Sequence, residues 1–211
     1  VNSAGADLKD FVGECKTSWV ASKTFTSIQD LWDEEWDQEL GTVHPEKVTD
    51  AVLGQQRQGK QIIHYIQPHR PYISSGSNLH TWWAKEELED SEKSLKKQFL
   101  SKTRPFWSPV FSRMPDELKD LIRKLFGIDN GFEKLVNEVG EDRVKNYYEQ
   151  DLRLALKEVK RMVEQLDGKI IVTADHGELL GENNDWGHPI GSKHPKLVHV
   201  PWLEVEGVKE E

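Results

Sequence analysis

The fold class that the sequence predicts is α/β, and three consecutive features of this 211-residue chain predict it. Residues 142–166 carry apolar side chains at steps of three and four, which is the period of an amphipathic helix. Gly168 ends that segment, and residues 169–173 (KIIVT) then predict a buried strand. Polar residues follow this strand at its C-terminal end, where open α/β sheets bind their ligands.

The other elements are predicted from capping residues, from the periodicity of apolar side chains and from Gly and Pro at the boundaries. Ser27 is a good N-cap for a helix over residues 27–40, and Pro45 is a good first residue for a helix that ends at Gly54. Residues 60–66 (KQIIHYI) are apolar and β-branched, which predicts a second buried strand. The remaining predictions are a strand-loop mixture over 1–24, a loop over 67–84, helices over 85–100 and 115–126, and a last strand over 198–205.

Composition and charge exclude several classes of protein. Eight tryptophans provide large apolar surfaces, which predicts a globular chain. The formal net charge of -9 argues against a protein that binds nucleic acid through its phosphates. Cys15 is the only cysteine, so no internal disulfide can form, and this predicts a reducing, cytoplasmic location. There is no apolar run of 18 residues, so no membrane span is predicted.

Five of the eight histidines lie in two short segments that leave the two predicted buried strands. His64 and His69 belong to HYIQPHRPY, and His176, His188 and His194 belong to TADHGELLGENNDWGHPIGSKHP. If the two strands are neighbours in one sheet, these side chains converge on one rim.

The strongest chemical signal is Asp175-His176-Gly177. A carboxylate beside an imidazole supplies oxygen and nitrogen donors for a divalent ion, and Gly177 permits a sharp turn that lets both serve. Glu178 is placed to orient one of these ligands. The alternative is that Asp175 caps the following turn and His176 is an ordinary polar loop residue.

His64 and His69 also have two interpretations. His64 is either a hydrogen-bonded core histidine of its strand or a residue that binds substrate. His69 lies in a loop that Pro68 and Pro71 stiffen, which suits a side chain that must be held in place.

Together the two segments resemble the sulfatases of the alkaline phosphatase superfamily. IVTADHGELLGE, followed by WGH and HVPWLEV, is similar to the C-terminal signature of that family. HYIQPHRPY is similar to its second motif, in which a strand leads into a Pro-His-x-Pro loop. The resemblance covers residues 58–205 in segment order and looks closest to sulfatase-like proteins of archaea.

The resemblance implies a three-layer α/β/α sandwich with a mixed, mostly parallel sheet, in which residues 1–211 form one domain. It implies that Asp175 and His176 bind a divalent metal ion, and calcium, zinc and manganese all fit some relative. His69 would act as a catalytic residue on the ester oxygens or the leaving group, beside His64 in substrate binding. His188 stands where many sulfatases have a substrate-binding lysine, and both a catalytic, substrate-binding role and a metal-binding role are open for it.

The chain departs from the sulfatase pattern at the nucleophile. The family uses a Cys or Ser in a Cys/Ser-x-Pro-x-Arg motif, and Cys15 is followed by Lys-Thr-Ser-Trp instead. We therefore expect a C-terminal portion of the fold, incomplete at its N-terminus, whose nucleophile comes from another segment. The predicted function is metal-dependent hydrolysis of small anionic sulfuric or phosphoric esters. The alternatives are a phosphoglycerol-type transferase and a sulfatase-like binding module without catalysis.

Overall fold

A computed structural model of the chain describes residues 24–55, 59–76, 131–188 and 192–207. The chain divides into two compact units. The first unit consists of Val1–His80, Tyr147–Ile170 and Glu204–Glu211, and the second consists of Thr81–Asn146 and Ile171–Leu203. The helices predicted over 85–100 and 115–126 lie outside the described residues, as do residues 1–23. Within the described ranges, no helix is both long enough and apolar enough to cross a membrane.

The first described elements are a short helix and a small hairpin, where one helix over 27–40 was predicted. Helix α1 covers Leu31–Glu34, strand β1 covers Trp36–Asp37, and strand β2 covers Thr42–Val43. The two strands pair antiparallel. The prediction of a long helix is wrong because Asp37 accepts hydrogen bonds from two backbone N–H groups beyond it, which closes a turn in place of the next helical turn.

Helix α2 covers Pro45–Leu53, which confirms the predicted helix. Its N-cap is His44, whose side chain accepts a hydrogen bond from the N–H of Glu46. Val48 is fully buried against Leu31 and Val43 in the core of the first unit. The helix therefore forms because Pro45 begins it and an apolar face buries it.

The strand predicted over 60–66 is wrong. These residues form no strand and contain a single bridge residue, His64. Ile63 and Tyr65 pack against two core clusters, one with Val43 and Val48 and one with Val52 and Met162, while Ile62 is exposed. The apolar pattern that predicted a strand arises because alternate side chains of this segment cover the core of the first unit.

The loop that follows this segment is held by a buried carboxylate. A 3-10 turn covers Ile73–Ser75, and the side chain of Asp151 accepts hydrogen bonds from the N–H groups of Ile73 and Ser74, at 2.8 and 2.9 Å. Asp151 is completely buried, and this burial raises the pKa of its carboxyl group. The carboxylate thus replaces the missing acceptors at the start of the turn.

Two consecutive helices follow in the described chain. Helix α3 covers Gly131–Val139, and helix α4 covers Glu141–Val163. The second confirms the helix predicted over 142–166. The first was not predicted, although Phe132 and Leu135, at a spacing of three, are its buried residues.

Strand β3 (Lys169–Thr173) lies where a strand was predicted and pairs with β6 (Trp202–Glu206). The N–H of Gly207, just after β6, donates to the carbonyl oxygen of Gly168, just before β3, so the pair runs antiparallel. The prediction that β3 is buried is wrong, since Ile171 is 42% exposed. Among the described residues β3 has one neighbouring strand, and none of its own side chains is fully buried.

The second unit also contains a tight hairpin and a short helix. Strand β4 (Leu179–Glu182) pairs antiparallel with β5 (Asp185–Gly187), and helix α5 covers Pro195–Val198. The strand predicted over 198–205 begins later than expected, because Val198 still belongs to α5. The described residues therefore form a mixture of helices and small antiparallel strand pairs, and a three-layer sandwich with a mostly parallel sheet is not shown.

Candidate metal site

A hairpin brings the DHG segment and the WGH segment together. In the β4–β5 pair, Leu179 is opposite Gly187. The next residues outward are Glu178 and His188, and the Nδ1 atom of His188 lies 2.8 Å from Oε2 of Glu178. The register of one short hairpin thus brings together Glu178 and His188, which are ten positions apart in the sequence.

The turn of this hairpin explains the register. Asn183 and Asn184 have φ values of 53° and 65°, and two such residues in the loop form the turn that matches the twist of paired strands. The N–H of Asn184 donates to the carbonyl oxygen of Gly181 at 3.2 Å. The Asn-Asn pair was the signal in the sequence that could have predicted the hairpin.

His176, Glu178 and His188 form a cluster that could hold a metal ion. One donor atom of each residue lies within 4.8 Å of the donor atoms of the other two. The rings of His176 and His188 have centroids 4.2 Å apart and are tilted by 35°. Two imidazoles and one carboxylate are a common donor set for zinc and related ions.

Glu178 is the buried member of the cluster, with a side chain only 7% exposed. Its Oε2 pairs with His188, but its Oε1 is buried and has no hydrogen-bond partner among the described residues. An unpaired buried oxygen costs about 1–3 kcal/mol, and more if it is charged. A cation beside Oε1 would offset this cost, so the donor set fits a bound metal ion.

The histidines are half-exposed, and their ring contacts indicate how they are held. Their side chains are 39% exposed for His176 and 34% for His188. The Nδ1 atom of His176 lies 2.9 Å from the carbonyl oxygen of Gly177. A hydrogen bond from that N–H would leave Nε2 as the metal donor, which is the usual arrangement for a ligating histidine.

Asp175, the other predicted ligand, lies beside this cluster and is not one of its three members. Its side chain is 71% exposed, and its Oδ1 accepts a hydrogen bond from the N–H of His176. Its Oδ2 lies 3.7 Å from Nε2 of His176. Asp175 therefore lies outside the three-residue cluster, while its second oxygen faces the imidazole of His176.

Gly177 is required for a different reason from the one predicted. Its φ is not in the left-handed region that favours glycine. A Cβ atom at this position would lie 1.9 Å from the carbonyl oxygen of Lys196, so no side chain fits. Its N–H donates to the carbonyl oxygen of Leu197 at 3.0 Å. Close contact with α5, and not a sharp turn, is what the glycine provides.

Aromatic and charged contacts also involve the hairpin. Trp186 of β5 and Phe132 of α3 stack with ring centroids 6.3 Å apart. Lys196 forms an ion pair of 2.6 Å with Glu182. Burial acts to raise the pKa of Glu182, but hydrogen bonds from Lys196 and the N–H of Leu180 outweigh it, so the pKa is lowered.

The two predicted residues from the other segment belong to the first unit, whereas the cluster belongs to the second. His64 and His69 are both partly buried. The Nδ1 atom of His69 lies 2.6 Å from the carbonyl oxygen of Arg70, so its ring is held by its own loop. Their roles in substrate binding and catalysis stay predictions.

Comparison with known proteins yields no relative: no family model, no curated protein and no solved structure matches the chain. The resemblance to the sulfatases therefore rests on the two quoted motifs and stays a prediction.

Proposed function

We propose that this chain is part of a metal-dependent hydrolase of sulfuric or phosphoric esters. The observation that supports it is the cluster of His176, Glu178 and His188, which joins the DHG and WGH segments at one place. The proposal includes the finer fold of the family, a three-layer α/β/α sandwich with a mostly parallel sheet.

Each residue of the cluster has a role in this proposal. His176 and His188 offer ring nitrogens to a divalent ion, and Glu178 offers its buried carboxylate. A bound ion would act as a Lewis acid on an anionic ester oxygen. The exposure of both imidazoles leaves room for a small anionic ester beside them. Asp175 adjoins His176, and its exposed carboxylate lies 3.7 Å from the Nε2 atom of that ring, outside the three-residue cluster.

No Cys/Ser-x-Pro-x-Arg motif occurs in these 211 residues, so the proposal takes the nucleophile from another segment. Members of a catalytic unit act together, so losing one removes most of the rate. We expect negligible turnover of p-nitrophenyl sulfate or phosphate by the chain alone, with or without added metal. Robust turnover that His176→Ala abolishes would contradict this expectation and would place a nucleophile within the chain.

The same lack supports a second candidate function, a metal- and anion-binding module that does not catalyse. Expression of the full coding sequence that contains the chain separates the two candidates. Metal-dependent ester hydrolysis by that product supports the hydrolase, and metal-dependent anion binding without hydrolysis supports the module.

The proposal is tested directly by anion binding to the purified chain. Isothermal titration with inorganic sulfate and phosphate is expected to show binding in the presence of a divalent ion and none after chelation. His176→Ala should abolish this binding, whereas His199→Ala, at an exposed histidine outside the cluster, should leave it unchanged. Anion binding that survives chelation, or metal binding without any anion binding, would refute the proposed function.

A further inference from the structure

We propose that Glu178 is the principal carboxylate ligand of this site, and that the site selects a nitrogen-preferring ion of the zinc class over calcium. This inference deepens the proposed function and rests on the metal site described there. It differs from the sequence-based assignment, which made Asp175 the carboxylate ligand and left the ion open.

The two candidate carboxylates differ in burial and in partners. Asp175 is 71% exposed, so water already solvates its charge, and one of its oxygens accepts the N–H of His176. Glu178 is almost completely buried, and its Oε1 has no partner within the described residues. A cation gains more from a carboxylate that water does not solvate, because burial weakens screening. Burial therefore favours Glu178 as the ligand.

The spacing of the donors supports the same assignment. The Nδ1 atom of His188 and Oε2 of Glu178 are 2.8 Å apart. Two ligands of one tetrahedral zinc ion are about 3.3 Å apart, given bonds of about 2.0 Å. A small separation of the two side chains would therefore let one ion bind the His188 ring and the Glu178 carboxylate, and any proton held between them would leave to solvent. His176 needs only a ring movement to complete the set, because its side chain is partly exposed.

The chemistry of the donors decides the class of ion. Two of the three ligands are imidazoles, which suit zinc, cobalt, nickel and copper. Calcium takes six to eight oxygen ligands, and Glu178 with Asp175 would provide only a few of these. Three protein ligands with an open fourth position match the arrangement of catalytic zinc sites.

The test is a cobalt(II) titration of the metal-free 211-residue chain, followed by visible absorption. We expect the intense bands of four-coordinate cobalt, loss of these bands on adding one equivalent of zinc, and no change with excess calcium. Glu178→Gln should weaken cobalt binding by about 100-fold or more, because a neutral amide replaces the carboxylate ligand. The size and shape of the side chain stay the same. Asp175→Asn is the matched control and should change the affinity less than about 3-fold, as expected of an exposed group.

Two results of the cobalt titration would overturn the inference. One is a large loss of cobalt binding in Asp175→Asn with little loss in Glu178→Gln. The other is displacement of cobalt by calcium at comparable concentrations. X-ray absorption of the zinc-loaded wild-type chain adds a measurement that needs no variant, since it counts imidazole ligands: two are expected, and fewer would also refute the site.

The outcomes also separate this inference from the proposed function. A chain that binds zinc through Glu178 but never binds sulfate or phosphate keeps the inference and loses the proposed function. A chain that binds calcium together with these anions keeps the proposed function and loses the inference.

Discussion

Gly177→Ala tests how the site is built, because this glycine separates two residues of the metal cluster. An added Cβ atom would lie 1.9 Å from the carbonyl oxygen of Lys196, whereas ordinary contact begins at 3.4 Å. The obstructing atom belongs to the backbone, so α5 or the DHG segment must move as a whole. Overpacking costs about 1–3 kcal/mol, and the hydrogen bond from Gly177 to Leu197 adds about 1 kcal/mol if it breaks.

We therefore expect Gly177→Ala to lower the free energy of unfolding by about 2–4 kcal/mol, measured by urea denaturation. The displacement should also weaken cobalt binding, since His176 and Glu178 flank the substituted position. Gly140→Ala is the matched control, because Gly140 has a φ of 88° and open space around it. Its cost should be only the strain of a left-handed alanine, about 1–2 kcal/mol. A loss below about 1 kcal/mol in Gly177→Ala, with cobalt binding intact, would refute the close-contact reasoning.

Three further substitutions test the fold within the two units. Burial raises the pKa of Asp151, so its carboxyl group adds stability below the pKa of the unfolded chain, and this contribution is lost as pH rises through the folded pKa. We therefore expect the free energy of unfolding of wild type to exceed that of Asp151→Asn by a margin that grows as the pH falls from about 7 to about 4, measured by urea denaturation. A difference that does not change with pH would contradict this expectation. Tyr65→Phe removes a hydrogen bond of 2.8 Å to Thr49 and should cost about 1 kcal/mol in the same assay; no loss would mean that this bond contributes nothing net. Asn184→Gly keeps a φ of 65° that glycine adopts freely, and should raise the free energy of unfolding by about 0.5 kcal/mol; destabilisation would argue against the turn after Asn183.

Capping residues and apolar periodicity predicted two of the helices. Pro45 and the apolar face that includes Val48 predicted α2, and the long helical period predicted α4. The same signals failed at residues 27–40, where local hydrogen bonds to Asp37 close a turn, and at residues 60–66, where tertiary packing decides the conformation. Ile63 packs there against the core cluster of Leu31, Val43 and Val48.

For the candidate site, sequence reasoning found the histidines but not their grouping. His176 and His188 were both named from their motifs, and the hairpin places their rings 4.2 Å apart. Glu178 was assigned only an orienting role, because nothing in a sequence shows that a carboxylate is buried without a partner. Asp175 was named as a ligand because it adjoins His176, yet its side chain is largely exposed.

The sequence by itself determined which chemical groups are available: the imidazoles and carboxylates of one short segment, the absence of a sulfatase-type nucleophile motif, and the long helix α4. Only the tertiary structure decided which of these groups meet. The register of β4 and β5 joins Glu178 to His188, and the packing of α5 against Gly177 holds the segment in place. The physical reason is that burial and hydrogen-bond pairing depend on residues distant in sequence, whereas donor type depends on each residue alone.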